Sequence, residues 1–130
     1  MDAAQALADL TEISSQIEAA VLAEASGAVV ASTFSDRGRG EEVARAAAEL
    51  LEAAERAGRA GLVQLEAATR EGSVFVVRDG GHLVAAVTGP RPTVGLVFYD
   101  LKTCLRLVAR EPEAKPARRG RRKEAGDGAS

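Results

Sequence analysis

The stretch Gly40-Glu41-Glu42-Val43-Ala44-Arg45-Ala46-Ala47-Ala48-Glu49-Leu50-Leu51-Glu52-Ala53-Ala54-Glu55-Arg56-Ala57-Gly58 decides how this chain is read. Its spacing predicts a helix: turned at about 100° per residue, Val43, Ala47, Leu50, Leu51 and Ala54 share one face. Arg45, Glu49, Glu52, Glu55 and Arg56 share a polar sector opposite. Ala46, Ala53 and Ala57 extend the apolar face on one flank, and Ala44 and Ala48 extend it on the other. The apolar arc comes to roughly 220°, about twice the stripe of an ordinary surface helix. A helix lying on a sheet is expected to bury Val43, Leu50 and Leu51. The alanine flank then remains, and its small side chains let another helix approach closely. Alanine is also the best helix former, so propensity alone is the competing account.

Upstream, Ser35-Asp36-Arg37-Gly38-Arg39-Gly40 reads as a loop, with Glu41 and Glu42 suited to the positive end of the helix dipole. Backbone amides around Gly38-Arg39-Gly40 would favour an anion, but the spacing matches no phosphate-binding fingerprint and the two glutamates repel phosphate. A flexible linker is the default. Before it, residues 17–25 and 28–34 form two short β-type runs joined at Ser26-Gly27, where Gly27 supplies the positive φ of a tight hairpin. In the first run Ile17, Ala19, Val21 and Ala23 are expected to point one way, and Ala20 and Leu22 the other. Both faces are apolar, as in a strand covered on both sides. Asp2 with Gln5 resembles a capping box, and Ala3, Ala6, Leu7, Leu10 and Ile13 recur at helical spacing, predicting a first helix to about Ser14.

Downstream, three more strands are expected at 62–69, 73–78 and 82–88, turning at Arg70-Glu71-Gly72 and Asp79-Gly80-Gly81 as an antiparallel meander. Gly89-Pro90-Arg91-Pro92 breaks the sheet. Thr93 then caps a last helix ending near Arg110, with Val94, Val97, Phe98, Leu101, Cys104, Leu105 and Val108 on one face. The order α-β-β-α-β-β-β-α predicts one α+β sandwich, a five-stranded antiparallel sheet with helices on both faces.

One domain of about 111 residues fits this length, and residues 112–130 read as a disordered basic tail. That tail carries six cations against three acids, +3, so residues 1–111 hold −5 of the net −2. Aromatic residues are only Phe34, Phe75, Phe98 and Tyr99, which leaves little platform for stacking bases. The single Cys104 excludes an internal disulfide, and with one histidine a Cys/His zinc site lacks ligands. No signal-peptide pattern or membrane-length apolar run is present, so a cytoplasmic protein without a membrane span is expected.

The hairpin Ala20-Val21-Leu22-Ala23-Glu24-Ala25-Ser26-Gly27-Ala28-Val29-Val30-Ala31-Ser32 resembles the opening of Roadblock-type domains, related to dynein light chains and bacterial gliding-motility regulators. The alanine-rich helix 41–57, the meander 62–88 and Pro92-Thr93-Val94-Gly95-Leu96 follow in that family's order. The resemblance covers about residues 3–110 and departs at Ser26, where family hairpins commonly carry an acidic residue, and in the basic tail. It implies a Roadblock/profilin-like sandwich whose third strand is an edge. It also implies a homodimer in which that edge and the central helix meet their copies, through Ala46, Leu50, Ala53, Ala57, Val63 and Leu65. The strand half is physically sensible, because Leu62-Val63-Gln64-Leu65-Glu66-Ala67 has no proline and a single charge. The resemblance further implies a bacterial, non-catalytic adaptor of a small Ras-like GTPase, often beside a sensor kinase, with no cofactor.

The remaining candidates are weak. Cys104 sits on an apolar helix face and reads as a small hydrophobe. His82 has no evident partner for catalysis or metal binding. Arg91, between prolines, is presented in a rigid turn, where a solvated loop arginine is the simpler reading. With Arg37 and Arg39 it is a loop arginine to test as an arginine finger, although the family resemblance implies activators that remodel the GTPase instead. The last helix is expected to place Leu96 and Leu107 near each other, away from the core, as a possible second binding surface with Arg91. Arg118-Arg119-Gly120-Arg121-Arg122-Lys123 would touch nucleic acid or anionic lipid only weakly, and solubilisation is its simpler role. The competing function is a small-molecule sensor of profilin- or PAS-like architecture, which needs a polar-lined pocket that the Val, Leu and Ala core disfavours.

Overall fold

The computed structural model describes residues 2–58 and 64–109. Val63, the tail from 112 onward and the expected domain boundary at 111 lie outside the described residues. Along the chain run α1 (Ala3–Ile13), β1 (Ile17–Glu24), β2 (Val29–Ser32), α2 (Arg37–Arg56), β3 (Gln64–Ala68), β4 (Ser73–Asp79), β5 (His82–Thr88) and α3 (Val94–Ala109). The strands form one antiparallel sheet in the order β2-β1-β5-β4-β3.

Alternation along the strands makes two cores. Val21, Ala23, Val76, Leu83 and Ala85 face α2 and pack against its Ala44, Ala47 and Leu51. Ala20, Leu22, Phe75, Val77, Val84 and Ala86 face the opposite way, under α1 and α3. Both layers being covered explains why β1 and β5 read as nearly continuous apolar runs. On the α1/α3 side, Phe75 and Phe98 meet edge-on with centroids 5.0 Å apart, a favoured aromatic geometry.

The ends of the elements follow local chemistry. The Asp2 carboxylate accepts the Gln5 amide at 2.8 Å and starts α1. Gln5 does not complete the expected capping box, since its side chain donates to Asp9 at 3.0 Å. The hairpin turns at Gly27, whose φ is +99°, a backbone state that side chains rarely adopt. Thr93 does not simply cap α3: its amide donates to the Gln16 side chain, tying the chain before α3 to the α1–β1 link.

Four sequence expectations need correction. First, residues 37–40 are helical and not a linker. The Asp36 carboxylate accepts the amides of Gly38 at 2.9 Å and Arg39 at 3.4 Å, which holds the first turn of α2 despite its glycines. A Cβ on Gly40 would lie 2.7 Å from the Ser32 hydroxyl, so the glycine lets α2 sit close on β2. Second, Leu50 does not face the sheet; Ala44, Ala47 and Leu51 do. Third, an irregularity between Ile17 and Ala19 in the β1–β5 register moves Ile17 to the α1/α3 face, away from Val21 and Ala23. Fourth, Ile13 and Val94 are exposed instead of lying on the core faces of their helices. Ile13 is about 60° around the helix from Leu10, at the outer flank of the stripe.

Candidate functional site

The α2 side of the sandwich carries two unsatisfied features. Ala46, Leu50, Ala53 and Ala57 recur at i, i+4, i+7 and i+11, and all four are exposed. Such spacing lays them along one stripe of the helix, with the largest, Leu50, 43% exposed. The second feature is the β3 edge of the sheet. β3 pairs with β4 in unbroken register from Gln64 opposite Val77 to Ala68 opposite Ser73, and among the described residues no strand pairs with its other side. Leu65 packs half-buried on the α2-side core.

The other edge of the sheet is different. In β2, Ala31 pairs with Leu22 but Val29 pairs with Ala23, so Val30 is left over and the register shifts. A bulge of this kind twists an edge away from further pairing. One edge is blunted and the other regular. At the far end of α2, Glu55 pairs with Arg78 of β4, which anchors the helix across the sheet.

The opposite face holds a groove between α1 and α3, with a cavity volume of about 220 Å³. Ala6, Leu10 and Cys104 are buried at its floor, whereas Ile13 and Tyr99 stand 75% and 63% exposed on its two walls. Leu107 lines this groove but Leu96 does not. The two leucines are eleven residues apart, about 16 Å along a helix, so they share a side of α3 without being neighbours. This groove was not legible in the sequence, where Ile13 counted as core.

The candidate chemical groups are placed as follows. Burial, with a smaller contribution from the Asp9 carboxylate, pushes the Cys104 thiol up to about 11. It is the reverse of an activated nucleophile. His82 opens β5 opposite Asp79 and Glu24. Among the described residues, no group of three or more His, Cys, Asp or Glu is placed to hold a metal ion, and no helix is long and apolar enough to cross a membrane. The amides of Gly38 and Arg39, the candidate phosphate donors, are taken by Asp36. Arg37 and Arg39 sit in the first turn of α2 and are not loop arginines. Arg91 is exposed, and its φ of +58° is an uncommon, strained state for a residue with a side chain.

One helix on one face, two on the other, and a five-stranded antiparallel sheet ending at β3 make up the Roadblock/LC7 fold. Comparison with solved structures agrees. A Roadblock/LC7 domain from Streptomyces avermitilis matches with a TM-score of 0.73 at 18% identity, over 84% of this chain and 96% of that one. MglB of Myxococcus xanthus matches with a TM-score of 0.69 at 16% identity, over 82% of this chain and 92% of that one. Profilin IA of Acanthamoeba castellanii shares the broader architecture, with a TM-score of 0.57 at 12% identity over 82% and 96%. No protein-family model matches the sequence, and no curated protein matches it either.

Proposed function

We propose that this chain is a non-catalytic, homodimeric Roadblock-type regulator that binds a small Ras-like GTPase. The observations that carry the proposal are an exposed Ala46-Leu50-Ala53-Ala57 stripe on α2 and a regular sheet edge at β3 whose Leu65 packs on the α2-side core. A two-fold axis beside β3 joins two sheets edge to edge and lays the two α2 stripes together, so each copy satisfies the other. Small side chains on the stripe allow close helix approach, and Leu50 supplies the apolar bulk.

The GTPase half rests on the likeness to MglB and on the family resemblance of the sequence. In this reading the dimer offers a composite surface and no reacting group, and any effect on hydrolysis comes from reshaping the GTPase. The test has two stages on the full chain. Light scattering behind a sizing column should give twice the 13.5 kDa chain mass, held on dilution to micromolar. Capture from lysate, loaded in parallel with a non-hydrolysable GTP analogue or with GDP, should then retain a Ras-like GTPase in a nucleotide-dependent way. A monomer removes the dimer; a dimer that retains no such GTPase in either state removes the partner.

A further inference from the structure

We infer that the groove between α1 and α3 is a docking site for a cationic amphipathic helix of a partner protein, on the face opposite the proposed dimer seam. Three properties of the groove point to this occupant. Its floor is apolar, built from Ala6, Leu10 and Cys104. Its walls carry Ile13 and Tyr99, the two most exposed large apolar side chains among the described residues. Its rim carries two half-buried carboxylates, Asp9 and Asp100, and among the described residues no lysine or arginine lines it.

The shape argues for a helix. Ala6, Leu10 and Ile13 on α1 face Tyr99, Thr103 and Leu107 on α3, spaced one turn apart on both sides. A furrow between two packed helices, running about 12 Å along their axes, takes a third helix through anchors at i, i+3 or i+4, and i+7. The charge argues for cations beside those anchors. Carboxylates that are half out of water at an apolar rim are stabilised by a Lys or Arg, and steer an oppositely charged partner.

Two nearer occupants fit worse. A second copy would bring its own Asp9 and Asp100 against the first pair, which repel. The chain's own segment 110–130 is cationic, but its only apolar side chains are alanine and proline. Neither fills the space between Ile13 and Tyr99.

The chain has one tyrosine and no tryptophan, so tyrosine emission from the full protein reports on this groove alone. The probes are synthetic 16-residue helices, tryptophan- and tyrosine-free, from a library of Leu, Ile and Phe anchors at i, i+3, i+4 and i+7. Each anchor set is made with lysine flanks and with glutamate flanks. We expect members with lysine flanks to change Tyr99 emission saturably, with affinity at least tenfold above their glutamate counterparts. Asp9→Asn with Asp100→Asn should erase that tenfold preference. Ile13→Asp, at an exposed position that folding does not need, should abolish binding. No saturable binder in the library, equal affinity for both flanks, or binding that survives Ile13→Asp would overturn the proposal. So would a change in Tyr99 emission, without peptide, on replacing Arg118, Arg119, Arg121 and Arg122 with glutamate, because the chain's own segment would then be the occupant.

Discussion

Leu51 is buried against the sheet, and Leu50, its neighbour in sequence, stands 43% exposed on the other flank of α2. The two leucines therefore answer different questions. Leu51→Ala should cost about 2–5 kcal/mol of folding stability, the range for truncating a buried leucine. Leu50→Glu should leave the melting temperature of the monomer nearly unchanged and raise the dimer dissociation constant at least about a hundredfold, since each tenfold is about 1.4 kcal/mol. Ala53→Glu should act the same way. Denaturant melts and light scattering separate the two effects; Leu50→Glu and Ala53→Glu proteins that both remain dimeric would show that α2 is not the seam.

The two sheet edges make a matched pair of positions. Ala67 on β3 and Val29 on β2 are both exposed, but only β2 carries the register shift. Lysine on an edge strand opposes edge-to-edge pairing. Ala67→Lys should weaken the dimer about tenfold or more, and Val29→Lys should not. If the β2 substitution is the disruptive one, the copies pair at the bulged edge instead. Sedimentation equilibrium of both variants decides.

The carboxylate of Asp36 closes the start of α2 by accepting the Gly38 amide at 2.9 Å. Asp36→Ala leaves the amides of a glycine-containing first turn without that acceptor. The expected loss is about 1 kcal/mol, within the range for N-cap removal. Asp36→Asn, which keeps an acceptor oxygen, should recover most of it. A urea titration of the three proteins is enough, and equal stabilities would mean that the turn is held by packing on β2 alone.

Cys104 gives the fold an alkaline weakness. Burial raises its thiol from 9.0 to about 11, so between those values the folded chain holds a proton that the unfolded chain has lost. Stability from this group is complete below about pH 9 and falls as pH rises towards 11, by at most about 3 kcal/mol for a two-unit shift. Cys104→Ala should flatten that part of the pH profile relative to the parent, measured by chemical denaturation at pH 8, 9, 10 and 11. Parallel profiles would show that the thiol ionises freely in the folded state.

Much of this arrangement was legible in the sequence because turns and periods agree. Gly27, Gly72 and Gly80-Gly81 punctuate the strands, and all eight elements were read in the right order with ends off by a few residues. What stayed hidden depends on contacts between distant residues. A roughly 220° apolar arc cannot say which part of it the sheet takes, so it does not separate Leu50 from Leu51. A one-residue irregularity at Ile17–Ala19 reverses a side chain without any change in composition. The groove under Ile13 and Tyr99 exists only because α1 and α3 lie side by side, 86 positions apart in the chain. The glycines of residues 37–40 suggest a loop, whereas the Asp36 carboxylate, accepting the Gly38 and Arg39 amides, helps hold the turn helical.

Arg91 lies between two prolines with a φ of +58°, and its side chain is exposed. Proline at this position would lock φ near −65°, so Arg91→Pro should destabilise the fold by more than about 2 kcal/mol. Glycine adopts the observed state without a side-chain penalty, and Arg91→Gly should match or slightly exceed the parent's melting temperature. That makes Arg91→Gly a clean probe of function, because it removes the guanidinium and leaves the turn. If Arg91 touches the partner, the variant keeps its melting temperature and dimer mass and loses about tenfold or more in affinity for the captured GTPase. Unchanged affinity would assign the strained turn to joining β5 to α3 and nothing further.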